Sequence, residues 1–138
     1  MMSHGIKYVV TVLVVFIFTG CLKDSLVSTQ QKTATLGESF DIKIGETVSI
    51  RNEQLNFQFV DVPEDSRCPL GLMCFWAGNA AVIIKIQDLS DTVNTSLEPK
   101  AVIHEPYTIT LLQLSPYPKI GEPRDRMLYT AQFIVMKK

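Results

Sequence analysis

The sequence predicts an all-β protein: an antiparallel β-sandwich or small barrel of about seven strands, preceded by a helical signal peptide. Three observations predict it. From Leu36 onward apolar and polar residues alternate at a period of two, as in strands with one buried face. Turn residues interrupt the pattern roughly every 8–15 residues, the rhythm of sandwiches and barrels. Outside the first twenty-two residues, no segment sustains twelve residues of helical period. A length of 138 residues allows one domain. Lys and Arg number 13 against 14 Asp and Glu, so the net charge is -1 and no nucleic-acid partner is expected. With 46% hydrophobic residues, the chain is also too apolar for a disordered acidic protein.

The first element is an address. Lys7 gives a short positive region, and Tyr8 to Phe18 is an apolar run broken only by Thr11. Eleven residues fit the apolar region of a secretory signal, roughly 7–15 long. At about 1.5 Å per residue they cross only half of a ~30 Å hydrocarbon core. Extending the run from Ile6 to Leu22 leaves a single uncleaved anchor as the alternative.

Phe18-Thr19-Gly20-Cys21 resembles a bacterial lipobox, with Phe18 where Leu is commoner. The resemblance implies cleavage after Gly20, removal of residues 1–20 and lipidation of Cys21, which leaves 118 residues. It further implies a bacterial envelope lipoprotein, held in the outer membrane on its periplasmic face or at the cell surface. Several acyl chains on one residue make a durable anchor, at about 0.8 kcal/mol per buried CH₂. Cysteine parity agrees. Three cysteines in an exported chain leave one odd thiol. With Cys21 lipidated, Cys68 and Cys74 remain to pair in an oxidising compartment.

Leu22 to Thr35 is rich in Ser, Thr and Gln without an apolar period, so residues 21–35 read as the lipidated Cys and a flexible tether. Residues 36–138 read as one sandwich domain. Phe40, Ile42 and Ile44 alternate with Asp41 and Lys43, and Gly45-Glu46 turns the chain into Val48 and Ile50. Leu55, Phe57 and Phe59 alternate next, running through Val62 into Pro63. Ala81 to Leu89 reads as a β-branched central strand, with Thr92 to Leu97 and Lys100 to His104 as weaker ones. Tyr107 to Leu114 is stopped by Pro116 and Pro118, and Met127 to Met136 places Tyr129, Ala131, Phe133 and Val135 on one face.

The densest motif runs from Glu64 to Ala80 and contains the sole Trp. Five residues separate Cys68 from Cys74, and Pro69 and Gly71 suit a sharp reversal between them. Trp76 follows directly, and an aromatic beside a disulfide is expected to help centre the core. Gly78-Asn79 is expected to supply positive φ before the next strand. Asp65-Ser66-Arg67-Cys68-Pro69, then Cys74-Phe75-Trp76-Ala77-Gly78, is similar to a signature of small, mostly uncharacterised bacterial lipoproteins. That resemblance implies an exported β domain with a disulfide and attaches no activity to it.

Two readings of the motif stay open. In one, Asp65 caps the turn and Arg67 pairs with it or with loop carbonyls. In the other, Asp65, Arg67, Leu70, Leu72, Met73 and Trp76 form a partner-contact loop, since rigidity lowers the ordering cost of binding and exposed apolar tips mark contacts. A protease-inhibitor loop is a special case.

Catalytic chemistry finds little support. His104 is the sole His after Cys21, and no Gly-x-Ser-x-Gly run occurs. Met73, His104, Met127 and Met136 lack copper-site spacing, and Asp61, Glu64 and Asp65, like Asp88 and Asp91, lack that of a calcium loop. No enzyme, cofactor or metal is expected. The expected function is a non-catalytic binding or accessory module. Its partners are the membrane, through the lipid, and an envelope protein or cell-wall component. The alternatives are a small ligand-binding or inhibitor-like lipoprotein and an envelope enzyme whose site the sequence does not reveal.

Overall fold

The computed structural model describes residues 31–138. The signal peptide, Cys21 and the tether up to residue 30 lie outside the described residues. Nine strands form two sheets: β1 (Lys32–Ala34), β2 (Ser39–Lys43), β3 (Thr47–Ile50), β4 (Asn56–Asp65), β5 (Ala80–Ile86), β6 (Leu89–Asn94), β7 (Ala101–His104), β8 (Tyr107–Ser115) and β9 (Thr130–Lys137). One sheet has the order β1-β3-β4-β5-β6 and the other β2-β9-β8-β7, an open sandwich with no closed barrel. All pairings are antiparallel except that of β1 with β3.

Alternation decides what the sheets bury. In β5, Ala80, Val82, Ile84 and Ile86 face inward and are all fully buried. In β9, Ala131, Phe133 and Val135 do the same from the other sheet. Phe57 meets Phe133 edge-on at 5.4 Å between centroids, and Phe40 packs against Phe57 at 6.0 Å. Each fully buried Phe contributes about 2–3 kcal/mol by area. These phenylalanines centre the core. Trp76 does not: it stands exposed, contrary to the expectation that it packs inside.

Several boundaries differ from the sequence reading: the last strand begins at Thr130 rather than Met127, because Arg126–Leu128 forms a short 3-10 helix, and β6 ends at Asn94 rather than Leu97. The tether ends earlier, because Lys32–Ala34 adds a parallel edge strand to β3 and buries Ala34. The stretch read as one strand from Ala81 to Leu89 is a hairpin, β5 and β6 turning at Gln87-Asp88. Gln87 takes φ 53°, which few non-glycine residues adopt, so composition carried no turn signal there. Finally, β4 continues through Pro63 to Asp65. Its pairing with β5 shifts register between Phe59 and Glu64, and β3 pairs no further than Gln58. A proline is tolerated at such a bulged edge because no ladder bond needs its missing N–H.

Candidate functional site

The Glu64–Ala80 motif joins the ends of β4 and β5. Asp65, 8% exposed, and Arg67, 4% exposed, form a buried ion pair at its base. Arg67 Nε donates to Asp65 Oδ1 at 2.9 Å and Nη2 to Oδ2 at 2.7 Å, a two-pronged geometry that only a guanidinium offers. Two further donors are used: Nη1 reaches the Leu114 carbonyl at 2.6 Å and Nη2 the Pro116 carbonyl at 2.8 Å. The guanidinium lies 4.4 Å from the centre of the Tyr117 ring. Tyr129 Oη donates to Asp65 Oδ2 at 2.7 Å, and Arg124 Nη1 donates to the Asp65 carbonyl at 2.6 Å.

Burial by itself pushes the Asp65 carboxyl up. The hydrogen bonds from Arg67 and Tyr129 outweigh it and hold the group below the ordinary carboxylate range. Burial likewise opposes the charge on Arg67, and Asp65 reverses that and raises it. The Tyr129 hydroxyl is raised by burial and then by its bond to Asp65. A pair so saturated is a latch between β4 and the segment linking β8 to β9. The first of the two sequence readings therefore describes Asp65 and Arg67, which sit beneath the loop rather than on its contact face.

A second clasp closes the other side. Ser66 N donates to the Asn79 carbonyl at 2.7 Å, and Asn79 N donates to Ser66 Oγ at 3.1 Å. Between them Gly78 takes φ +68°, and a Cβ there would fall 2.1 Å from the Ser66 carbonyl oxygen. Asn79 Nδ2 donates to Asn94 Oδ1 at 2.8 Å, while its Oδ1 accepts from the Ser96 and Leu97 amides at 3.1 and 3.3 Å. Asn79 thus works through its side chain, fixing the chain after β6, and only Gly78 supplies the positive φ expected of the pair.

Above this base, Cys68 and Cys74 are bonded, their Cα atoms 5.9 Å apart. The ring holds a turn in which Leu72 N donates to the Pro69 carbonyl at 3.1 Å and Gly71 has φ +89°. Leu70 N donates to the Pro118 carbonyl at 2.9 Å, so this loop lies against the one between β8 and β9.

The loop presents Leu70, Leu72, Met73 and Trp76 to solvent, with Met73 at 100% and Trp76 at 65% exposure. Sequence reading missed Phe75, which is wholly exposed between them. It also missed the neighbouring loop, whose Tyr117, Ile120, Met127 and Leu128 are exposed beside it. The double proline stop marks the start of that segment, and the sequence reading places Met127 and Leu128 at the beginning of the last strand rather than among exposed loop residues. With Leu97, whose amide is bonded to Asn79, ten of the fifteen large exposed apolar side chains among the described residues lie at one end of the sandwich. A shallow cleft of about 250 Å³ runs beside them between Tyr117, Lys119, Arg124 and Leu128, lined by neither Asp65, Arg67 nor His104. His104 lies on β7, apart from the motif, and Cys68 and Cys74 are joined to each other. Comparison of the chain with family models, curated proteins and solved structures finds no match.

Proposed function

We propose that this protein is a lipid-anchored, non-catalytic contact module of the bacterial envelope, whose working surface is the disulfide-braced apolar end. One observation carries the reading: Asp65 and Arg67 are buried and bonded to each other and to the neighbouring segment beneath the loop, while Leu70, Leu72, Met73, Phe75 and Trp76 stand outside. Reactive chemistry needs accessible polar groups, and a contact surface needs accessible apolar ones held in place. The loop has the second arrangement. Its disulfide and two clasps reduce the ordering cost of binding. Anchoring through Cys21 rests on the lipobox resemblance and on cysteine parity.

Two measurements test this. Labelled palmitate and membrane fractionation should find the intact chain lipidated and sedimenting with membranes, and Cys21→Ser neither. Unchanged labelling in Cys21→Ser would sink the anchor. A photo-crosslinker at position 75 in intact cells should capture a ligand that one at position 112, an exposed Leu elsewhere on β8, does not. Equal capture from both positions would remove the apolar end's claim to be the working surface.

A further inference from the structure

The ligand of this surface follows from three features: its chemistry, its charge balance and the direction from which the chain enters the fold. In and beside the two loops, Arg67, Lys119, Arg124 and Arg126 stand against Asp61, Glu64, Asp65, Glu122 and Asp125, four positive charges against five negative. Arg67 pairs with Asp65, Arg126 with Asp61 and Lys119 with Glu122, while Arg124 is turned onto the Asp65 carbonyl. An apolar patch among nearly balanced charges gives little steering toward a charged partner. It also contains the chain's sole Trp with Tyr117 nearby, residue types whose amphipathic rings settle at the boundary between headgroups and hydrocarbon.

Strand direction then orients the domain. Lys32 pairs with Val48, and Val48 pairs with Phe57 on β4. Because β1 runs parallel to β3 and antiparallel to β4, the chain before Lys32 arrives from the side toward which β4 runs, the Asp65 side. Eight residues of β4 separate Phe57 from Asp65, roughly 26 Å at strand rise. Eleven residues link Cys21 to Lys32, a span of at most about 36–40 Å. A lipid on Cys21 can therefore reach the level of the apolar loops, at the end of the molecule the chain comes from.

We propose that the apolar end is a membrane-facing surface, seated in the interfacial layer of the bilayer that holds the N-terminal lipid. This rests on the anchor reading above. The lipid holds the domain close to the bilayer, and Met73, Phe75 and Trp76 enter the headgroup boundary. The opposite end faces away from the bilayer.

The sole tryptophan makes the test direct. The full lipidated chain, purified and reconstituted in protein-free phosphatidylcholine vesicles, should show Trp76 emission shifted to the blue and protected from acrylamide. Bromines on shallow acyl carbons should quench it more strongly than bromines on deep ones, with no dependence on salt. Met73→Ser with Phe75→Ser, which leaves both clasps intact, should lose most of the quenching while the chain still floats with the vesicles. A chain that carries palmitate and floats, yet leaves Trp76 open to acrylamide, overturns the membrane-facing surface and spares the anchor. A chain without palmitate removes both. Protection from acrylamide without quenching by bromolipid means that another protein surface, such as a second copy, covers the patch, and that also overturns the proposal.

Discussion

At position 78 the backbone leaves no room for a side chain. Gly78 combines positive φ with contact against the Ser66 carbonyl, whereas Gly71 has a similar φ and open space around it. Gly78→Ala is therefore expected to cost ~3 kcal/mol or more, since the clasp itself must open. Gly71→Ala should cost only about 1–2 kcal/mol, the strain of a left-handed residue. Urea titrations of the two variants check this, and equal losses would contradict the clasp. Arg67 makes a related point. A buried ion pair is costly to desolvate, and this one persists because four guanidinium N–H groups are bonded, two to Asp65 and two to backbone carbonyls. The pairing itself was legible from sequence as a capping alternative, Asp65 and Arg67 being two residues apart. The partners of Arg67 at Leu114 and Pro116 and of Asp65 at Tyr129 were not, because these lie about fifty to sixty residues away.

Among the elements, the disulfide loop has a base that holds without the disulfide. Both clasps bond residues outside the ring: Ser66 to Asn79, and Asp65 and Arg67 to the β8–β9 segment. Replacing both Cys68 and Cys74 with Ser should therefore lower stability by about 2–2.5 kcal/mol, the chain-entropy value for so short a ring. The sandwich should persist, with near-ultraviolet circular dichroism of the core aromatics retained. Proteolysis should then concentrate between residues 69 and 77. Global unfolding of the double variant would mean that the ring, rather than the clasps, holds the two loops together. The same scale explains why β1 escaped the sequence reading. Three residues without alternation carry no periodic signal, and Lys32–Ala34 becomes a strand only because β3 offers an open edge.

Across the whole molecule, ionisation sets the pH range of stability. Asp65 binds its proton less readily folded than unfolded, so acid favours the unfolded chain. Stability should hold from neutral pH to about pH 5 and fall as pH drops through the unfolded value of about 3.9 toward the lower folded one. At the alkaline side the sign reverses. The Tyr129 hydroxyl is raised by burial and by Asp65, and that of Tyr107 by its bond to Glu53, so both release protons more readily when unfolded. Stability present below about pH 10 should be lost as pH climbs through and above it. Thermal melts from pH 2 to 11 measure both limbs. Asp65→Asn should lower the plateau and flatten the acid limb, and an unchanged acid limb would assign it to other carboxylates, such as Glu53 bonded to Lys137.

The sequence by itself determined the all-β class, most strand positions, the inward faces of β4 and β9, and the pairing of Cys68 with Cys74. The strands follow from local alternation, which one segment expresses without reference to any other, and the pairing from a count of the chain's three cysteines. Only the tertiary structure decided that Trp76 faces solvent, that Asp65 and Arg67 are latched beneath the loop, and that Tyr117, Ile120, Met127 and Leu128 join the loop's apolar residues on one surface. An apolar residue in a loop has no period to say which way it faces. Its side is set by how two distant loops, 66–79 and 116–129, pack across the open end of the sandwich.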